Sequence, residues 1–127
     1  MKEDFVTYEI AVKLKEKGFP QHICDDAYIT ENEYDDDKYL VGERWGIPFI
    51  PDYCIEVAAP TISQVLKWLR EEKKIHIDID IWGRTWGYDI IKLTSGNSLH
   101  WTAYNENINN YEQAAIAGIE YVIDNLI

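Results

Sequence analysis

The run Ile75-His76-Ile77-Asp78-Ile79-Asp80-Ile81-Trp82 leaves few folds open to this chain. Its four isoleucines alternate with polar residues, the period of two that sets one row of side chains on a core and the other in water. A strand of that kind is not stable alone. It needs antiparallel partners and a layer over its apolar side. Gly83-Arg84 supplies a two-residue hairpin turn into Thr85-Trp86-Gly87-Tyr88-Asp89-Ile90. That turn pairs Ile81 with Trp86, Ile79 with Tyr88 and Ile77 with Ile90, all apolar on one face. A loop one residue longer would set Ile79 against Asp89, so the shorter register is expected. A second turn at Thr94-Ser95-Gly96-Asn97 then places Ile90 near Trp101 and Tyr88 near Ala103. The predicted core face is Ile75, Ile77, Ile79, Ile81, Trp86, Tyr88, Ile90, Leu99, Trp101 and Ala103.

Helices flank these strands. Thr7 is a suitable N-cap for a helix over Tyr8–Lys17, with Ile10, Ala11 and Leu14 inward and Val6 placed to staple onto Ala11. Gly18 and Phe19 form a Schellman stop against Leu14. Thr61-Ile62-Ser63-Gln64 is a capping box for a second helix burying Ile62, Val65, Leu66 and Leu69, with Trp68 at its edge. Asn110 and Gln113 begin a third, with Ala114, Ala115, Ile119, Val122, Ile123 and Leu126 inward. Gly118 within it costs about 1 kcal/mol against alanine, which points to close approach by the sheet or the second helix.

Between Pro20 and Ala59 the signals are shorter. Ala27–Ile29, Lys38–Val41 and Tyr53–Val57 read as short strands, and Trp45–Pro51 as a proline-punctuated loop. The expected fold is α+β, in the order α-(short β)-α-β-β-β-α, a single domain over 1–127. An antiparallel three-stranded sheet, extended by the short N-terminal strands, carries helices on one face.

Charge narrows the function. There are 12 basic and 23 acidic residues, net -11, and 14 of the acids fall within the first 56 residues. Nucleic-acid binding draws its affinity from Lys and Arg on phosphates, so no direct nucleic-acid partner is expected, and an anionic membrane is disfavoured equally. The same strand and helix order occurs in double-stranded RNA-binding domains, but those need a basic start to the last helix, and here it reads Asn110-Tyr111-Glu112-Gln113. No apolar run reaches membrane-spanning length and no secretory signal opens the sequence. With two irregularly spaced cysteines, Cys24 and Cys54, free thiols and a cytoplasmic location are expected.

Three blocks of sequence carry a resemblance. They are Phe5-Val6-Thr7-Tyr8-Glu9-Ile10-Ala11 with Leu14-Lys15-Glu16-Lys17-Gly18-Phe19, then Ala59-Pro60-Thr61 with Gln64 to Glu71 and Ile75-His76-Ile77, and Tyr111-Glu112-Gln113-Ala114 with its helix. Together they resemble small uncharacterised proteins of Bacteroides-type bacteria and their phages or mobile elements. The resemblance spans about half the chain, implies a small cytosolic α+β domain, and transfers no functional residue.

Two surfaces are candidates for function. The acidic segment with Asp35, Asp36 and Asp37, joined by Trp45 and Trp82 as surface aromatics, suits a basic protein partner. It lacks the loop glycine and terminal glutamate of a calcium loop. The polar face of the sheet carries His76, Asp78 and Asp80, then Asp89, and then His100, Thr102 and Tyr104. There Asp78 falls opposite Asp89, a like-charge pair. His76, Asp78, Asp89 and His100 are the residue types that bind zinc or another divalent ion, the alternative reading as a metal-binding domain or metal-dependent enzyme. The leading expectation is a non-enzymatic interaction or regulatory protein, with no cofactor. Self-association through the sheet face or an edge strand is a third. No phosphate-binding loop, nucleophile elbow or paired-cysteine motif is present.

Overall fold

Local signals in the first twenty residues become a capped helix in the computed structural model, which describes residues 4–30, 39–41, 55–102 and 108–127. Helix α1 spans Tyr8–Glu16, and the Thr7 hydroxyl accepts the Ile10 N–H at 3.3 Å. Its end is a Schellman motif. Phe19 N–H donates to the Leu14 carbonyl (2.9 Å) and Gly18 N–H to Lys15 (3.2 Å), with Gly18 at φ +90°, a conformation that costs a residue with a Cβ. Leu14 and Phe19 are buried, as that motif's apolar contact requires.

The chain divides into two compact units, Met1–Thr61 and Ile62–Ile127. In the first, β1 (Ala27–Thr30), β2 (Tyr39–Val41) and β3 (Ile55–Ala58) form an antiparallel sheet in the order β2-β1-β3. These short strands, expected to extend the C-terminal sheet, pair instead with one another. Helix α1 packs on β3. Gln21, in a single 3-10 turn over Gln21–Ile23, ties the layers together: its side-chain oxygen accepts the Ala58 N–H (2.9 Å) and its amide donates to the Phe19 carbonyl (3.1 Å). The Tyr28 hydroxyl donates to the Val6 carbonyl at 2.5 Å, and its ring meets Tyr8 edge-on.

The second unit is built on the isoleucine strand. Helix α2 (Ile62–Glu72), β4 (Ile75–Trp82), β5 (Thr85–Lys92), β6 (Ser98–Trp101) and α3 (Tyr111–Asn125) follow in the expected order, with the sheet running β4-β5-β6. The β4–β5 register is the predicted one: Ile81 faces Trp86, Ile79 faces Tyr88, Ile77 faces Ile90, and Asp78 faces Asp89. Both helices pack on β4 and on each other, and α3 also covers β5, so the helices lie on one face. The Asn110 side chain accepts the Gln113 N–H at 2.8 Å, and the Gln113 side chain accepts from Asn109 at 2.8 Å. Gly118 earns its place: a Cβ there would stand 2.8 Å from Ile77 Cγ2 and 3.4 Å from Tyr88 Cγ. Burial fades towards the hairpin turn, and Ile81, predicted in the core, is 47% exposed.

The third strand departs from expectation in one residue. Ser98 pairs with Ile91, but His100 pairs with Ile90 and Trp101 with Asp89, so Leu99 is an extra residue, a β-bulge. The Thr102 N–H donates to the Tyr88 carbonyl and continues the shifted ladder. Because side chains alternate with a period of two, one inserted residue exchanges the faces beyond it. His100 therefore turns to the core side and Trp101 to the polar side, the reverse of the predicted arrangement. Trp101 is 64% exposed and Leu99 41%. Ala103 and Tyr104 lie outside the described residues.

Candidate functional site

The polar face of the C-terminal sheet gathers its side chains strand by strand. From β4 come His76, half-buried, and Asp78 and Asp80, both exposed. From β5 come Asp89 and Ile91, and from β6, Ser98 and Trp101. Asp78 and Asp89 are direct cross-strand partners, as are Asp89 and Trp101. Carboxylate, carboxylate and indole thus stand in one row across three strands, at the spacing where opposite side chains interact. The Ser98 hydroxyl donates to Asp89 Oδ1 at 2.5 Å, which orients that carboxylate. Asp80 Oδ1 accepts its neighbour's N–H, from Ile81, at 2.8 Å. Asp78 has no hydrogen-bond or ionic partner among the described residues.

These groups line a shallow recess of about 230 Å³ bounded by Asp78, Asp80, Asp89, Trp101 and Thr102, together with Gly87 and Tyr88. Among the described residues its lining holds three carboxylates and no Lys, Arg or His. Like charges set directly opposite destabilise a sheet, so the recess favours a positively charged occupant. An exposed indole beside it offers a flat apolar surface and a face of negative electrostatic potential.

The predicted metal quartet is not brought together. His76, Asp78 and Asp89 share the polar face, whereas His100 lies on the core side. Its ring stacks on Tyr121 of α3, with centroids 3.8 Å apart and planes within 6°, and Tyr88 stands 5.9 Å away. Burial pushes the Tyr88 hydroxyl above its ordinary pKa, and Tyr121 adds to the shift. The cause of the correction is the Leu99 bulge. Among the described residues no three His, Cys, Asp or Glu side chains are grouped so as to hold a metal ion.

Of the other predicted contact residues, Asp35, Asp36, Asp37 and Trp45 lie outside the described residues. Trp82 ends β4, paired with Thr85. Cys24 is buried, and Cys54 is outside the described residues. Trp101 is the residue that sequence reasoning missed. The only sequence hint lay in α3, where Tyr121, three residues beyond the sheet-facing Gly118, is placed near the sheet side of the helix, against which the His100 ring stacks. No described helix is long and apolar enough to cross a membrane. Comparisons of the chain with family models, curated proteins and solved structures return no match.

Proposed function

We propose that this chain is an acidic, non-enzymatic protein-interaction domain of regulatory type, and that it engages a basic partner through the polar face of its C-terminal sheet. The observation that carries this reading is Trp101, 64% exposed and directly across from Asp89. An indole left in water beside the Asp78–Asp89 pair contributes little to the core of its own domain. At interfaces, tryptophan is enriched among the few residues that carry most of the binding energy. The net charge of -11 supports a basic partner through long-range steering and disfavours nucleic acid.

Quantitative capture from a native lysate tests it. Wild-type chain should retain one stoichiometric protein with a basic surface. W101A and D78N/D89N chains should lose that protein while keeping their circular dichroism and a cooperative thermal transition. If both variants retain it and D35N/D36N/D37N loses it, the sheet face is wrong and the contact belongs to the acidic segment.

A further inference from the structure

We infer that the recess on the polar sheet face is selective for guanidinium, and that the partner presents an arginine there where lysine would not serve. The inference rests on the interaction reading above and adds the chemistry of the occupant.

The row Asp78–Asp89–Trp101 provides two kinds of contact side by side. A cation entering between the carboxylates relieves a like-charge pair, with no base among the described residues of the recess lining. Three cations differ in what else they gain. A divalent metal ion needs several oxygens converging on one point, and the described residues offer no group of three such side chains. It also makes no use of an indole. An ammonium is compact and strongly hydrated, so in a shallow, wet recess it gains little by leaving water. A guanidinium is planar and weakly hydrated. It can lie on the Trp101 ring while its edge N–H groups donate to Asp89 and Asp78. The Ser98 hydrogen bond holds the Asp89 carboxylate before the ligand arrives, which lowers the ordering cost of binding. Ile91, next along β5 on the same face, offers apolar surface for the aliphatic stem, and Leu93 lies just past the end of that strand. Leu93 is 47% exposed.

The experiment uses the full chain labelled with ¹⁵N, following the Trp101 indole resonance, which is assigned by its loss in W101F. The probes are three blocked tripeptides, Gly-Arg-Gly, Gly-Lys-Gly and Gly-citrulline-Gly. The arginine peptide should shift the resonance and bind at least about fivefold more tightly than the lysine peptide, and citrulline should not bind. W101A, followed through the backbone amides of β5, should weaken arginine binding roughly two- to fivefold, the range expected for an exposed cation–π contact. D89N should weaken it by about tenfold, as for a charge-assisted hydrogen bond. Equal affinity for arginine and lysine overturns the proposal, as does arginine binding unchanged in W101A. Calcium chloride that shifts the same residues and displaces the arginine peptide would overturn it too, reassigning the recess to metal. Failure here with capture of the partner still dependent on Trp101 removes only the guanidinium selectivity. Success here with no captured protein removes the partner and leaves arginine recognition standing.

Discussion

Replacing Gly118 with alanine should destabilise the C-terminal unit, although the same change in an exposed helix would stabilise it. On an isolated helix, Gly→Ala gains about 1 kcal/mol. Here the new methyl carbon would lie 2.8 Å from Ile77 Cγ2, closer than carbon atoms approach without something shifting, and 3.4 Å from Tyr88 Cγ. Cγ2 sits directly on the β-carbon of a β-branched residue in the middle of a strand, so rotation cannot clear it. The helix must lift instead, loosening Ala114, Ile119 and Val122, all buried. Overpacking of that kind costs about 1–3 kcal/mol. The net loss for G118A is then about 0–2 kcal/mol. Ile77→Leu moves the branch one carbon outward and removes the obstructing methyl at nearly constant volume, a change that alone costs under about 1.5 kcal/mol. The double variant should therefore be more stable than the sum of the singles by roughly 1 kcal/mol, within the range for contacting residues. Urea unfolding followed by tryptophan fluorescence measures all four corners of the cycle, and the m-value should not change. A G118A chain stabilised by about 1 kcal/mol, with no coupling to position 77, would refute the argument that the sheet dictates glycine there.

Two further outcomes follow from the same packing. Asp78→Asn removes one member of the Asp78–Asp89 pair and should raise stability by about 0.2–1 kcal/mol at low salt. The gain should shrink in 1 M NaCl, where the exposed repulsion is screened, and a loss of stability at either salt would contradict the pairing. Tyr28 has its pKa raised above 10.0 by burial, with Glu9 adding to the shift. The unfolded chain therefore releases that proton first, and the associated stability is complete below pH 10 and lost as pH rises through the folded value. Y28F should be less stable than wild type at neutral pH, through loss of the bond to the Val6 carbonyl, yet lose less between neutral pH and pH 11. Parallel stability curves for the two chains would show that the Tyr28 hydroxyl does not contribute this way.

Much of the fold was legible because its signals are local. Thr7, Gly18 and Asn110 mark helix ends through hydrogen bonds that reach three to five residues, so the caps could be placed without knowledge of the rest. The β4–β5 register was equally accessible, since the two-residue turn puts Ile77, Ile79 and Ile81 opposite apolar partners. Two features were not accessible, for different reasons. Whether Ala27–Thr30 joins the isoleucine sheet or one of its own depends on partners far along the chain, and alternation within a strand carries no information about them. The third strand failed at Leu99. Ser98 lies on the predicted face, and the phase inverts one residue later, because a bulge depends on how the ladder closes and leaves no composition mark. That single inversion moved His100 out of the proposed metal set and brought Trp101 into the recess.

A strand that holds its extra residue in a bulge can lose that residue without exchanging the faces beyond it. Deleting the codon for Leu99 would leave composition, charge and both flanking turns almost unaltered. It would also leave Ser98 against Ile91, His100 against Ile90 and Trp101 against Asp89, now in unbroken alternation, so the imidazole would stay beneath α3 and the indole beside the aspartates. A variant of this protein lacking Leu99 would thus present the same polar face from a chain one residue shorter. For comparing such chains, the placement of a gap there matters more than the identity of the residues around it.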